Sequence, residues 1–214
     1  ILTTDHGPPF PQMKGTLRDG GVAVSLIVRI PGVTQAGTIE TALVSQLDLY
    51  PTLLRIAGVE PPENREGSSL LPLLRGETDR LREYLYGETN YHAVYEPARM
   101  VRTERYKLVR RYGVTTPPPA NTDDSPGKEI MGAAGLFERG RPAEELFDLL
   151  LDPQESSNLL AEPEYRRPYK ELSAALERWM RETEDPLLTG EVARPRKSTV
   201  NAPGAWSAEE PTEE

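Results

Sequence analysis

Gly20-Gly21-Val22-Ala23-Val24-Ser25-Leu26-Ile27-Val28-Arg29-Ile30-Pro31-Gly32 decides how the front of the chain is read. The β-branched, nearly unbroken apolar run over 22–28 has the character of a central strand covered on both faces. Two glycines give it a flexible turn at its start, and Pro31, which cannot donate a ladder hydrogen bond, ends it. Upstream, Ile1-Leu2-Thr3-Thr4 followed by Asp5-His6-Gly7 has the form of a buried strand end that delivers polar residues into a loop. Open α/β sheets bind their ligands just beyond the carboxyl ends of strands, which makes Asp5 and His6 candidate site residues. A chain that starts on such a strand is expected to be part of something longer.

Downstream, residues 34–41 form a short polar connection and 44–57 read as a helix, with Leu47, Leu49, Leu53, Leu54 and Ile56 as its apolar face and Gly58 as a stop. Asp48 is the favoured N-cap, because Pro51 then falls in the first turn. Ser45 with Asp48 as a capping box is the alternative. Residues 84–88 are a candidate strand. Residues 99–103 and 106–112 read as two antiparallel strands joined at Glu104 and Arg105, with a strongly cationic outer face. Three consecutive prolines and several glycines mark 115–140 as an insertion with little regular structure, in which only 130–137 is apolar enough to pack. Residues 145–149 are another strand. Tyr169, Leu172, Leu176, Trp179 and Met180 then fall on one helical stripe, with Pro168 near the helix start. From Gly190 onward nothing is spaced to bury a face, so a loose tail is expected.

The 214 residues allow one domain, or a fragment of one with a smaller module attached. A formal charge of −9 argues against a nucleic-acid partner, since such proteins carry a basic face. With no cysteine there is no disulfide, thiolate metal site or cysteine nucleophile within these residues. No apolar run approaches the roughly 20 residues that span a membrane, so no membrane partner is expected. The compartment stays open between cytoplasm and export.

Asp5 and His6 can turn one carboxylate oxygen and one imidazole nitrogen toward an ion. A divalent metal held there would polarise a transferred group and lower the pKa of its nucleophile. The same pair also fits an Asx-type turn carrying a surface histidine. Lys14, eight residues after His6, has a charge suited to an anion that develops during cleavage, though a lone lysine is more often solvated.

Taken in order, Thr4-Asp5-His6-Gly7, Lys14-Gly15-Thr16-Leu17, Asp19-Gly20-Gly21, Leu26-Ile27-Val28-Arg29 and the run from Val44-Ser45-Gln46-Leu47-Asp48 to Tyr50-Pro51-Thr52-Leu53-Leu54 resemble the sulfatase family of the alkaline phosphatase superfamily. So do Arg99-Met100-Val101-Arg102-Thr103, Tyr106-Lys107-Leu108-Val109, Glu145-Leu146-Phe147-Asp148-Leu149, Asp152-Pro153 and Asn158-Leu159. The resemblance spans residues 1–188 and is nearest to the sulfamidase and arylsulfatase branch. Arg18, Ala23, Ser25 and Gln46 depart from the Tyr, Arg, Pro and His common in the family, but none of these is a direct metal ligand.

The resemblance implies an α/β fold: the C-terminal part of an alkaline-phosphatase-like architecture, in which a partial α/β sheet region precedes a small antiparallel sheet packed against a C-terminal helix. Residues 1–78 would be the edge of the large catalytic domain, 79–188 a small α+β domain with a flexible insertion near 113–142, and 189–214 the loose tail. It implies metal-dependent hydrolysis of a sulfate ester or sulfamate. Asp5 would be a Ca²⁺ or Mg²⁺ ligand, His6 would take the neighbouring ligand position, and Lys14 would contact the sulfate. Glu88, His92 and Arg99 would bind substrate and set its choice, with Arg102 structural and a solvated loop the alternative for His92. The family's formylglycine nucleophile arises from Cys or Ser in a Cys/Ser-x-Pro/Ala-x-Arg motif, and no Cys or suitably placed Ser occurs here. The 214 residues alone are therefore expected to be inactive. Expected partners are a sulfated sugar or small molecule, the N-terminal portion of the same protein and, through exposed apolar surface, other copies of the chain. A phosphate or phosphonate ester hydrolase of the same superfamily and a non-catalytic carbohydrate-binding or interaction module are the competing readings.

Overall fold

The computed structural model describes residues 1–63 and 66–213. In chain order the elements are β1 (Leu2–Thr3), α1 (Asp19–Val22), β2 (Leu26–Ile27), α2 (Leu49–Ile56), α3 (Leu71–Leu74), β3 (Leu85–Tyr91), β4 (Tyr95–Arg102), β5 (Tyr106–Arg111), α4 (Pro126–Ala133), β6 (Glu144–Asp148), α5 (Arg166–Glu182), β7 (Val200–Asn201) and β8 (Thr212–Glu213). They fall into two compact units, residues 1–3 with 25–85 and residues 4–24 with 86–214.

In the first unit β1 and β2 form a two-stranded antiparallel ladder with Leu2 opposite Ile27 and Thr3 opposite Leu26. The expected central strand over 22–28 is thus only two residues long, and Ile27 is 64% exposed. Pairing stops because β1 offers only two residues to pair with, and Val22 belongs to α1. The helix over 44–57 is present as one tight turn, Gln46–Asp48, leading into α2. Ser45 is its cap. The Ser45 hydroxyl accepts from the Leu47 amide and the Asp48 carboxylate accepts from the Ser45 amide, the capping box rather than the Asp48 cap favoured from sequence.

Asp48 also decides which face of α2 turns inward. Fully buried, it accepts from the amides of Ser45 and Ser68 at 2.7 Å each and holds the Arg82 guanidinium by two bonds, at 2.5 and 2.7 Å. A buried carboxylate is tolerated only when its lone pairs are so filled. Thr52, also buried, donates to the Asp48 carbonyl and accepts from the Leu70 amide. The face that carries Asp48, Pro51 and Thr52 is the buried one, so the expected apolar face is turned outward: Leu47, Leu53 and Ile56 are exposed, as is Tyr50.

The second unit is built on a four-stranded sheet in the order β3-β4-β5-β6. β4 and β5 pair antiparallel with Val101 opposite Leu108, and β5 and β6 with Leu108 opposite Leu146. Because side chains alternate along a strand, Arg99, Val101, Leu108 and Leu146 share one face with Arg110 and Glu144. α5 lies on this face and buries Leu172, Ala175, Leu176 and Met180. Burying three apolar side chains of this size contributes about 1.5–3 kcal/mol each. Trp179 stacks on Tyr86 with ring centroids 5.0 Å apart, Ser173 accepts from Arg110, and Tyr112 donates to the Met180 sulfur.

The opposite face carries Met100, Arg102, Lys107, Val109 and Phe147, and residues 17–19 pack on it. Lys107, fully buried, pairs at 2.9 Å with both Asp19 and Glu155, and Arg102 pairs with Asp19. Burial opposes the charge on Asp19, but Lys107 and then Arg102 outweigh it and hold its carboxyl below the ordinary range. Arg18 lies over the Phe147 ring and donates to the Glu155 carbonyl. These contacts draw residues 4–24 into the second unit, although the sequence suggested that they belong with the first. They also show that the cationic face of Arg102 and Lys107 is no solvated surface: Lys107 is fully buried.

The insertion and the tail are ordered by one another. Ser125 caps α4, with Pro126 in its first turn. Lys128, also buried, donates to Asp124 and to the Trp206 carbonyl, while Trp206 meets Phe137 edge-on and donates to Glu129. β7 and β8 pair, Ala205 is buried, and the Asn201 amide donates to the Ala93 carbonyl. Residues 200–212 are therefore packed where a loose tail was expected, because their partners lie in loops about 70–110 residues earlier, while 189–199 are mostly exposed.

Candidate functional site

All six candidate residues lie in the second unit. Gly7 anchors the tip that carries Asp5 and His6. It is buried, its amide donates to the Gly21 carbonyl at 3.0 Å, and a Cβ on it would lie 1.9 Å from the Gly20 carbonyl oxygen. Only glycine admits so close a backbone approach. Asp5 is 89% exposed, His6 Nε2 stands 3.8 Å from Asp5 Oδ1, and His6 Nδ1 is 2.6 Å from the Gly7 carbonyl oxygen. A carbonyl oxygen only accepts, so Nδ1 is the donor in that last bond.

The loop then folds back so that the Lys14 amide donates to the Pro8 carbonyl. This places the Lys14 backbone beside the residue two beyond His6. Gly15 follows with φ +79°, a left-handed conformation that suits glycine, and a Cβ there would lie 3.3 Å from His92 Cδ2 and 3.2 Å from the Asn121 carbonyl oxygen. The exposed imidazole of His92 therefore lies close to Gly15. The structure brings together two residues 77 positions apart in sequence.

His92 is held there by Asn121, whose Oδ1 accepts from the amides of both Ala93 and Val94 and whose Nδ2 donates to Glu96. The Lys14 ammonium donates to both oxygens of Asp123, at 3.0 and 2.8 Å. Neither Asn121 nor Asp123 was singled out from sequence as part of the site. Asp123 was visible there as half of an acidic pair, but its partner lies 109 residues away.

Glu88 is exposed, with Oε2 3.5 Å from Arg99 Nε. Arg99 itself is fully buried. It donates through Nε and Nη2 to Asp185 at 2.5 and 2.9 Å, and through Nη1 to the Thr89 carbonyl and Asn90 Oδ1. A guanidinium so engaged ties β3 to the turn after α5 and has no surface to offer a substrate, which corrects the contact role expected for it. Burial raises the Asp185 pKa, but the hydrogen bond from Arg99, the Leu187 amide and the Arg99 charge together hold it below the ordinary carboxylate range.

The sequence family described as N-sulphoglucosamine sulphohydrolase, C-terminal, matches residues 14–117, a segment that holds Lys14, Glu88, His92 and Arg99. The chain belongs to the sulfatase family. It is 33% identical over 192 residues to an ulvan-active sulfatase of Formosa agariphila, a match that covers 87% of this chain and 38% of that one. To the human N-sulphoglucosamine sulphohydrolase it is 29% identical, covering 87% of this chain and 42% of that protein. The solved structure of a 2-O GAG sulfatase superposes with a TM-score of 0.68 at 29% identity, over 91% of this chain and 38% of the other. The chain thus spans about two fifths of the length of these curated relatives. The superposition agrees with the mixed α/β architecture, antiparallel sheet and packed helix included.

Among the described residues no group of three or more His, Asp or Glu side chains could hold a metal ion, and no helix is long and apolar enough to cross a membrane. Asp5 supplies an oxygen donor of the kind that hard cations take, and His6 Nε2 a nitrogen. Two donors fit one side of a coordination shell and do not complete one.

Proposed function

We propose that this chain is the C-terminal part of a sulfatase that hydrolyses a sulfate ester or sulfamate on a saccharide. The observation that carries this reading is the Lys14–Gly15 loop. It folds back so that the Lys14 backbone bonds to Pro8, two residues beyond His6, and the next residue, Gly15, lies close to the His92 ring. In this reading the Lys14 ammonium, already drawn to an anionic oxygen in Asp123, neutralises the sulfate oxygens as charge develops during cleavage.

Asp5 and His6 would supply two ligands to a Ca²⁺ or Mg²⁺, with the other ligands and the formylglycine nucleophile outside these 214 residues. When bound, the metal would polarise the sulfate group. His92 and Glu88, both exposed, would meet the sugar, and Arg99 acts through the strand it fixes as a positioning residue. The names of the relatives, ulvan, 2-O GAG and N-sulphoglucosamine, favour a sulfated saccharide. The outward apolar strip of Leu47, Tyr50, Leu53 and Ile56 fits a surface that the rest of a catalytic domain would cover.

The test is intact-mass analysis of the full-length gene product, with release assays on sulfate-ester, sulfamate and phosphonate substrates in parallel. A formylglycine mass change together with sulfate release from a saccharide supports the proposal. Phosphonate hydrolysis alone points to the related phosphoryl chemistry, and neither modification nor turnover points to a carbohydrate-binding relative.

A further inference from the structure

A cavity of about 240 Å³ opens against the sheet face of the second unit that carries Val109. Its lining includes Arg18, Arg111, Arg139 and Arg141 against Glu96 and Glu145, so four guanidinium groups face two carboxylates and leave a formal surplus of two positive charges. Leu17, Val109 and Leu136 add apolar surface. The volume lies just below the 300–1,000 Å³ usual for ligand pockets, which suits a small ligand.

Both carboxylates are already committed. Glu145 is shared by Arg111 at 2.6 Å and Arg18 at 3.3 Å, and Glu96 holds Arg141 at 2.6 Å while accepting from Asn121 at 2.7 Å. Among the described residues Arg139 donates only to the Ala134 carbonyl, and Arg141 Nε is buried without a hydrogen-bond partner. Burial, reinforced by the neighbouring Arg111 charge, pulls the Arg141 guanidinium below its ordinary pKa in spite of Glu96. A carboxylate or sulfate would offset the surplus charge and meet the donors that Arg139 leaves open, because the guanidinium fork matches either group.

We infer that this cavity binds a small organic oxyanion, a single sugar ring or a skeleton of similar size bearing a carboxylate or sulfate. Its anionic group is held by Arg141 and Arg139 and its apolar face rests on Leu17, Val109 and Leu136. The site needs no hydrolysis at Lys14, and neither Asp5, His6 nor Lys14 lines the cavity.

Isothermal titration of the protein with glucuronate and glucose 6-sulfate, with glucose as the neutral control, tests this. Both anionic sugars are expected to bind at least about tenfold more tightly than glucose, and Arg141→Gln and Arg139→Gln each to weaken them about tenfold or more. Arg139 is exposed, so its variant remains informative if Arg141→Gln fails to fold. Lys14→Ala is expected to leave the affinity for glucuronate, which carries no sulfate, unchanged, which separates this site from the reading of Lys14 above. Glucose binding equal to the anions, no binding at all, or loss in Lys14→Ala with both arginine variants intact would overturn the inference.

Discussion

Lys14 Nζ donates to Asp123 Oδ1 and Oδ2 at 3.0 and 2.8 Å, so a carboxylate from the insertion already occupies the ammonium that the sulfatase reading assigns to the sulfate. The pair is about one third exposed or less on either side, which puts its worth near 1 kcal/mol. Asp123→Asn in the full-length protein removes the competing charge. It is expected to lower KM for a sulfated substrate about three- to fivefold while costing the fold less than about 1 kcal/mol. Steady-state kinetics with a matched denaturation curve check both; an unchanged KM would show that Asp123 does not compete.

Gly15→Ala would force a side chain into the left-handed conformation and against His92 and the Asn121 carbonyl. The conformation alone costs about 1–2 kcal/mol. The expected outcome is that loss in chemical denaturation, together with a displaced His92 ring resonance in NMR. A His92 resonance that does not move would mean that the imidazole does not rest on this loop.

Arg99 and Asp185 are both buried, and breaking such a pair from one side costs about 3–5 kcal/mol. Arg99→Ala should therefore unfold much more readily than Glu88→Ala, whose side chain is exposed. The pH dependence follows from the same carboxylates. Asp185, Asp148 and Asp19 all have folded pKa values below the ordinary 3.8, Asp148 chiefly through the hydrogen bond from Arg105. A depressed folded pKa stabilises the protein above the unfolded value and ceases to do so as pH falls through the folded one. Stability should be level in this respect above about pH 5 and fall as the pH drops through 4 and below, which urea midpoints across that range would show.

The outward strip on α2 makes a prediction that depends on context. Leu53 is 53% exposed, so Leu53→Ser should change the stability of the 214-residue chain by no more than about 0.5 kcal/mol. In the full-length protein, if the strip is covered, the same change should cost about 2 kcal/mol or more. Equal effects in the two settings would leave the strip without a partner.

Local pattern was enough to reveal some elements. The alternation through Tyr106 and Leu108, and the stripe of Leu172, Leu176 and Met180, report burial by neighbours that every sheet or helix of that period must find. What the sequence hid depends on distant partners. Arg99 reads as a substrate contact until Asp185, 86 residues on, is seen to hold it, and the residues around Trp206 read as loose until that ring is placed against Phe137. The helix over 44–57 was located correctly but its inner face was not, because a satisfied Asp48 outranked the leucines for burial. Lys14 and His92 were singled out from sequence separately, whereas the approach of His92 to Gly15 depends on the backbone turn there.

The most direct measurement is sulfate release from a sulfated saccharide by the full-length protein and by its Lys14→Ala variant, with both shown to be equally folded. Loss of a group that stabilises developing charge typically costs a hundredfold or more in rate, so kcat/KM is predicted to fall by at least about that factor. A variant that releases sulfate as fast as the parent would contradict the role assigned to Lys14 and with it the proposed site.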